Sequence, residues 1–237
     1  MARNPVGENR LLSRLSSGDL SILRPQLKAF ALVRGRVLHP LGTQIAHIYF
    51  PLSGMISLVA VTKSGAQVET GVVGREGVVG VSVANYGKYP FGQATVQIEG
   101  AALRMPTDAF VKIFHASEPF RRAMNGFQSV ILWQALQSAV CHALHTVEAR
   151  LCRWLLQTQD AIGSDVIPLT QEFLSYMLGV QRNAVSLSAA GLHERGLIAY
   201  SRGKIRILDR EGLRRASCEC YDVVSQHANR IARPKAK

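Results

Sequence analysis

The sequence of 237 residues predicts an α+β fold in which a β-rich segment is flanked by helical segments. Three features indicate this arrangement: leucines at helical spacing before residue 31, short β-rich runs separated by turns from 31 to 105, and helical periodicity again from about residue 106. Hydrophobic residues make up 47% and charged residues 19% of the chain, a balance that argues against disorder. The length suits two small domains or one large one.

The N-terminal segment, residues 8–30, is predicted to form short helices. Its leucines recur at helical spacing, and Ser17 before Asp19 is a suitable helix cap. The chain then changes to short β-rich runs, separated by turn residues, at 46–50, 55–61, 94–98 and 102–105. Several short strands at this spacing predict a small barrel or sandwich.

A long helix is predicted to begin at Ser117-Glu118-Pro119, which combines a capping hydroxyl, an acidic first turn and an early proline. Apolar residues then follow a heptad-like seam at Phe120, Met124, Phe127 and Ile131. A helix this long and apolar needs a partner. Because the barrel before it is already a closed unit, we expect self-association into a homodimer; the alternative is an ordinary buried helix.

Two helices around a glycine turn are predicted between residues 169 and 192, after a further helix at 146–160. Thr170 is placed to cap the first of the two, and Gly179 permits the turn. The start of the second helix is polar and is expected to be exposed, at Gln181, Arg182, Asn183 and Ser186. In a DNA-binding helix-turn-helix, this part of the second helix contacts base edges in the major groove, where arginine pairs with guanine and asparagine or glutamine with adenine.

A basic β-hairpin is predicted directly after these helices. Residues 199–208 form two β-rich runs joined by a turn, with Arg202, Lys204 and Arg206 within five residues. Such a hairpin would lie against phosphates and supply affinity rather than sequence choice. Two short helices around a glycine also occur in ordinary protein cores, so the hairpin is the feature that favours a winged helix-turn-helix.

The net charge of +12 makes anionic partners plausible, either nucleic acid or an acidic membrane surface. The positive charge is spread over both halves of the chain, so it does not by itself identify one binding domain. No signal peptide and no apolar run long enough for a membrane span is visible. We therefore expect a cytoplasmic protein with no membrane partner.

Over nearly its full length, the chain resembles the Crp/Fnr superfamily of bacterial transcription regulators. The resemblance is carried by Val72-Val73-Gly74-Arg75-Glu76-Gly77-Val78-Val79-Gly80 in the barrel and by residues 169–180 in the first helix of the pair. Gly196-Leu197-Ile198, followed by residues 200–204, matches the segment that leads into the wing. The order of the parts matches as well.

The resemblance implies a sensor β-roll of the cyclic-nucleotide-binding-like jelly-roll type over residues 1–116, a dimerisation helix over 117–145 and a winged helix-turn-helix domain over 146–237. Such a homodimer binds double-stranded DNA at a palindromic operator, and RNA polymerase is a further candidate partner. Arg182 falls where the family places an arginine that contacts a base. Thr170, with its neighbour Gln171, falls where the first helix approaches phosphate.

Departures from the family are as informative as the matches. Relatives that bind cyclic AMP hold its phosphate with a glutamate and an Arg-Ser pair, at places occupied here by Val81, Gly92 and Gln93. Relatives with an iron–sulfur cluster carry N-terminal cysteines, whereas the first cysteine here is Cys141. We therefore expect a signal other than cyclic AMP and no cofactor. Leu187 stands where many relatives have a polar base-reader, and it could touch a thymine methyl group or simply pack.

Two further groups of residues are candidate sites. Cys141 and His145 lie four residues apart on one predicted helix, but two candidate ligands on such a helix are better explained by packing, so no metal site is predicted. Arg75 and Glu76 suit a structural pair in a barrel turn, although an effector pocket formed by Arg75, Glu76 and Tyr86 stays a candidate.

No serine–histidine–acid or paired-carboxylate pattern is found, so catalysis is not expected. The alternative function is a ligand-binding signalling module whose helix-turn-helix contacts proteins instead of DNA. The basic hairpin argues against this alternative, because protein interfaces are depleted in lysine.

Overall fold

The computed structural model describes residues 5–201 and 203–232, and it divides the chain into two compact units. The first contains the chain up to residue 59 together with residues 72–131, and the second contains residues 60–71 together with the chain from residue 132 onward. The mixture of an N-terminal β-rich part, a long helix and a C-terminal helix-turn-helix confirms the predicted α+β fold. Among the described residues, no helix has the length and apolar character needed to cross a membrane.

The first unit is built around two antiparallel sheets. One has the strand order β2-β6-β4-β5, formed by Val37–His39, Gln93–Ile98, Met55–Val61 and Gln67–Val73. Residues 60–61 of β4 and 67–71 of β5 are counted with the second unit. The other has the order β1-β7-β3, formed by Lys28–Leu32, Gly100–Pro106 and His47–Pro51. Large side chains such as Phe50 and Ile56 are fully buried in a shared core. The short strands and the turns between them thus form the predicted β-roll.

Short helices complete this unit. Helix α1 is Ser17–Leu23, α2 is Val83–Tyr86 and α3 is Thr107–Ala116, and three 3-10 turns cover Pro5–Glu8, Leu12–Arg14 and Arg24–Gln26. The cap of α1 is Ser16, whose hydroxyl oxygen accepts the N–H of Asp19, so the predicted cap at Ser17 was wrong by one residue.

Strand β1 corrects the prediction that the N-terminal helices extend to residue 30. Pro25 lies in the 3-10 turn that ends the helical segment, and the chain then becomes extended. Phe30 lies in the middle of β1, where it pairs with Ala102 of β7. Its ring lies beneath the guanidinium groups of Arg36 and Arg104, at 4.9 and 4.8 Å. The strand was missed because its outward face is stabilised by cation–π contacts that only the sheet creates.

Helix α4 runs from Glu118 to Leu144, as the cap signals at residues 117–119 predict. The hydroxyl of Ser117 accepts the N–H of Phe120 at 3.2 Å. Its predicted dimer seam is wrong: Phe120, Met124 and Phe127 are buried in the core of the first unit of the same chain. The ring of Phe127 lies so close to Gly77 that a side chain at residue 77 would overlap it. The seam was misassigned because heptad spacing does not distinguish a partner helix from a sheet of the same chain.

The second unit contains the remaining helices and a three-stranded sheet. Helix α5 is Val147–Ile162, α6 is Gln171–Leu178, α7 is Arg182–Glu194, α8 is Arg210–Ala216 and α9 is Cys220–Ala232. Strands Val166–Ile167, Ile198–Ser201 and Lys204–Ile207 (β8, β9 and β10) form an antiparallel sheet in the order β8-β10-β9. The core of this unit is formed around Trp154 of α5, which is fully buried. Its indole N–H donates to the carboxylate of Glu69 at 2.7 Å.

Candidate nucleic-acid interface

Helix α6 begins at the cap that the sequence predicts. The side-chain oxygen of Thr170 accepts the N–H of Phe173 at 3.2 Å, which satisfies one of the unpaired donors at the helix start. Leu174, Met177 and Leu178 are buried, whereas Thr170 is exposed. The apolar face of α6 therefore points into the domain and leaves its N-terminus at the surface.

The turn between α6 and α7 depends on Gly179. Its φ of 62° lies in the left-handed region, where a side chain is unfavourable. The N–H of Val180 then bonds back to the carbonyl of Ser175 at 3.0 Å and closes the end of α6. The buried guanidinium of Arg150 on α5 donates to the carbonyl of Leu178, so a third helix also holds the last turn of α6. These bonds fix the direction in which α7 leaves the turn.

Helix α7 has one buried face and one exposed face. Val185, Ala189 and Leu192 are buried, as predicted, and they anchor the helix. Gln181, Arg182 and Asn183 are exposed at its start. Leu187 is 76% exposed, so it does not pack within the chain. The exposed face thus carries both hydrogen-bonding and apolar side chains, which are the two kinds of group that read base edges in the major groove.

Ser186 and Gln171 contact each other. The Ser186 hydroxyl lies 2.8 Å from Oε1 of Gln171 and 3.1 Å from the carbonyl oxygen of Arg182. Both residues are partly buried. The geometry supports a positioning role for this pair, because the contact joins the first turn of α6 to α7.

The wing follows the alternation expected of a half-buried hairpin. Ile205 and Ile207 of β10 are buried, whereas Lys204 and Arg206 are exposed on the opposite face. Gly203, with a φ of 75°, forms the turn, and a side chain added there would come within 3.6 Å of the Thr170 methyl group. The tip of the wing therefore lies beside the N-terminus of α6. The predicted site residue Arg202 lies outside the described residues.

Charge and helix direction give this surface its chemistry. The N-termini of α6 and α7 carry the positive ends of their helix dipoles, which favour an anionic partner. Arg182 and Lys204 add full charges, and neither side chain forms an ion pair within the described ranges. The surface around Thr170, Arg182 and Lys204 can therefore bind phosphate at its edges and place polar groups between them.

The candidate effector residues lie in the first unit. Glu76 follows β5, and its carboxylate accepts the N–H of Gly74 at 2.7 Å, while burial raises its pKa. The Nε of Arg75 is buried with no hydrogen-bond partner in the described part of the chain. Tyr86, at the end of α2, is exposed and its ring contacts Phe91 at 5.8 Å. No hydrogen bond or ring contact between described residues joins Tyr86 to Arg75 or Glu76.

The C-terminal half of α4 carries a surface that the sequence analysis missed. Leucine or valine recurs every four residues and is exposed each time, at Leu132, Leu136, Val140 and Leu144. Such spacing forms a continuous apolar stripe along one face of a helix. The sequence analysis missed the stripe because the heptad spacing of the preceding residues was more regular. Those residues, Phe120, Met124 and Phe127, are buried in the core of the first unit.

Comparison with known proteins agrees with this geometry. Residues 149–216 match the family model of the Crp-like helix-turn-helix domain. No curated protein sequence matches the chain.

Solved structures resemble the chain over most of its length. A transcriptional regulator of the Crp/Fnr family from Thermus thermophilus is 20% identical with a TM-score of 0.63, covering 80% of this chain and 98% of its own. FixK2 from Bradyrhizobium japonicum is 15% identical with a TM-score of 0.69, covering 81% and 98%. The c-di-GMP responsive global regulator CLP of Xanthomonas campestris is 14% identical with a TM-score of 0.67, covering 82% and 100%. The chain therefore carries a Crp-like helix-turn-helix domain within a transcription-regulator fold of the Crp/Fnr type.

Proposed function

We propose that this protein is a homodimeric, sequence-specific DNA-binding transcription regulator that responds to a signal other than cyclic AMP. The observation that carries the proposal is the exposed start of α7 at Gln181, Arg182 and Asn183. The contact between Ser186 and Gln171 joins this helix to the first turn of α6, and the tip of the basic wing lies beside that turn. In this arrangement α7 enters the major groove, Arg182 and Asn183 contact base edges, and Thr170 and Lys204 contact phosphates on either side. Arg202 would add a second cation at the wing.

The apolar stripe on α4 supports the homodimer. Four exposed aliphatic side chains in a row are costly in water, and a second copy of the same stripe covers them by two-fold symmetry. Two recognition helices in such a dimer would lie roughly 34 Å apart, one turn of DNA. The operator is therefore a palindrome with half-sites one turn apart.

The residues that stand where cyclic AMP would be held support a different signal. Val81 is buried, and the amide of Gln93 donates to the hydroxyl of Thr95, so neither supplies a cation for a cyclic phosphate. We assign sensing to residues 1–116, dimerisation to 117–145 and DNA binding to 146–237. Arg75, Glu76 and Tyr86 stay the candidate effector residues. If the protein activates transcription, RNA polymerase is its further partner.

Selection of random DNA fragments on the purified full-length protein tests the proposal. After sequencing, we expect an enriched palindrome with half-sites about one helical turn apart. Arg182→Ala serves as the matched variant and should lose the enrichment, whereas Lys112→Ala, which removes an exposed cation from α3, should keep it. Recovery of unrelated sequences that weakens equally with salt for every fragment would contradict sequence-specific recognition by the ligand-free protein, and repeating the selection with cell extract would show whether a signal restores it.

A further inference from the structure

Four potential metal ligands meet beside the end of α4. Cys141 and His145 come from the end of α4 and the residue after it, Cys218 lies in the turn between α8 and α9, and Cys220 is the first residue of α9. One ligand atom from each of the four lies within 4.8 Å of all the others. The three cysteines are buried and His145 is partly buried. This set, which we call the Cys3His cluster, belongs entirely to the second unit.

Two distances within the Cys3His cluster are close to those of a tetrahedral site, and no pair of its ligand atoms is more than 4.8 Å apart. Bonds of about 2.3 Å to sulfur and about 2.0–2.1 Å to nitrogen place neighbouring sulfurs ~3.8 Å apart and sulfur and nitrogen ~3.5 Å apart. The Sγ atoms of Cys141 and Cys218 are 3.5 Å apart, and Sγ of Cys220 is 3.4 Å from Nδ1 of His145. The ligand atoms thus need only small movements to surround one ion.

Residues around the cluster orient its ligands. Nε2 of His145 lies 3.2 Å from the carboxylate of Glu219, which can accept its hydrogen bond, and Nδ1 faces the cluster, 3.4 Å from Sγ of Cys220. A carboxylate on the far nitrogen of a histidine is the usual second partner of a metal-bound imidazole. The amide of Gln137 also donates to Sγ of Cys220 at 3.1 Å. Hydrogen bonds of this kind stabilise a sulfur that carries negative charge.

Two buried arginines lie in the same electrostatic environment. Arg150 and Arg153 of α5 are buried, each has an Nε with no hydrogen-bond partner, and neither pairs with a carboxylate in the described part of the chain. Both Arg150 and Arg153 interact electrostatically with the Cys218 thiol. Buried cations need a nearby negative group. Three thiolates around a divalent ion carry a net charge of minus one and would supply it.

We propose that Cys141, His145, Cys218 and Cys220 bind one Zn²⁺ ion in a structural site that fastens the start of α9 to the end of α4. Three thiolates and one imidazole are a ligand set that selects zinc among the common divalent metals. All four positions of a tetrahedral ion are filled by the protein, so the site has no open position for catalysis. The inference does not rest on DNA binding.

The alternatives to a metal site are a disulfide and the packing of reduced thiols, and the geometry favours neither. A disulfide requires sulfur atoms about 2.05 Å apart, whereas all four cysteines are free and the Sγ atoms of Cys141 and Cys218 are 3.5 Å apart. Simple packing of reduced thiols does not account for the carboxylate on His145 or for two buried arginines that have no carboxylate partner in the described part of the chain. In both states the purified protein would contain no zinc, so the experiment below separates them from the proposed site.

The test uses the full-length protein, purified in reducing buffer without a histidine tag or chelator. Elemental analysis should find about one zinc per chain, and replacement by Co²⁺ should give the visible bands of tetrahedral cobalt with thiolate charge transfer in the near ultraviolet. Cys220→Ser should lose the metal. Cys152→Ser is the matched control, because Cys152 is equally buried but lies outside the cluster, and it should retain the metal.

A variant outside the ligand set keeps the test decisive if Cys220→Ser does not fold. Glu219→Gln removes only the carboxylate on His145 and should weaken metal affinity by about 10–100-fold in a chelator competition. Chelation should also lower the Tm of the wild-type protein and not that of a metal-free Cys220→Ser variant. A reduced wild-type protein that contains no metal and gives no cobalt bands would overturn the proposal, as would equal metal binding by Cys152→Ser and Cys220→Ser.

Discussion

At the scale of single residues, Arg182 and Lys204 have similar charge but different surroundings. Arg182 stands in the first turn of α7 between Gln181 and Asn183, where a side chain in the major groove meets base edges. Lys204 stands at the start of β10 on the exposed face of the hairpin, where the proposed complex places it against the sugar–phosphate backbone. We therefore expect Arg182 to affect sequence specificity and Lys204 to affect the affinity for DNA of any sequence.

Arg182→Ala should weaken binding to the selected operator by about 1–3 kcal/mol, because a bidentate contact with a base is lost. Binding to an unrelated duplex should change much less. Fluorescence anisotropy with both duplexes at one salt concentration measures the difference. An equal loss on the two duplexes would assign Arg182 to phosphate instead.

Lys204→Ala should weaken binding to all duplexes by a similar factor. It should also reduce the slope of log affinity against log salt by about one, because one fewer counterion is released. The measurement is a salt titration of the wild type and the variant on operator and unrelated DNA. An unchanged slope would show that Lys204 does not contact phosphate.

His39 provides a pH-dependent contribution to the stability of the first unit. Burial lowers its pKa, and its Nε2 lies 2.9 Å from the carbonyl of His47, beside the ring of Tyr49. The folded state therefore protonates His39 at a lower pH than the unfolded chain, which takes up this proton below about pH 6.5. This contribution is present above that pH and is lost as the pH falls, by at most about 1.4 kcal/mol per pH unit.

Thermal unfolding between about pH 8 and about pH 5.5 measures the effect of His39. We expect the Tm of the wild type to fall with pH and that of His39→Gln to fall less steeply, because glutamine keeps a donor for the His47 carbonyl but does not titrate. Identical slopes would show that other groups, such as His47 or His142, whose pKa values are also lowered by burial, account for the dependence.

At the scale of elements, α4 is divided in its role along its length. Its first half places Phe120, Met124 and Phe127 in the core of the first unit, and its second half exposes the apolar stripe. A single helix can have both roles because side chains three or four residues apart lie on the same face. A small rotation of the apolar face along the helix therefore changes which surface it packs against.

Leu136→Glu should separate the proposed dimer. Two-fold symmetry places a glutamate from each copy in the interface, and loss of leucine burial from both should cost about 3 kcal/mol or more, at least a hundredfold in the dimer dissociation constant. Light scattering after size exclusion measures the mass. Ile22→Glu is the control, because Ile22 is a similarly exposed apolar residue on α1. A wild-type protein that stays monomeric at high concentration would contradict the dimer.

At the scale of the whole molecule, a symmetric dimer links operator geometry to protein geometry. Insertion of about five base pairs between the half-sites turns one of them by half a helical turn and should reduce affinity to nearly that of a single half-site. A binding assay with the original and the extended operator measures this. Equal affinity for both would show that the two winged helices bind independently.

Local signals in the sequence determined the winged helix-turn-helix. The cap at Thr170, the left-handed turn at Gly179 and the alternation in residues 204–207 depend on a few neighbouring residues, so the positions of α6, α7 and the wing could be predicted. The cap at Ser117 placed the start of α4 for the same reason. The spacing of the apolar residues Val185, Ala189 and Leu192 predicted the buried face of α7 and therefore its exposed face.

Only the tertiary structure decided which distant residues meet. It assigned Phe120, Met124 and Phe127 to the core of their own unit, made a strand of residues 28–32 and brought Cys141 to Cys218 across 77 positions of sequence. The periodicity of hydrophobic residues indicates that a side chain needs apolar surroundings. The spacing of two potential ligands indicates that they lie on one helix. Neither pattern identifies the distant segment that supplies the contact, because the packing of the whole domain determines which segments meet.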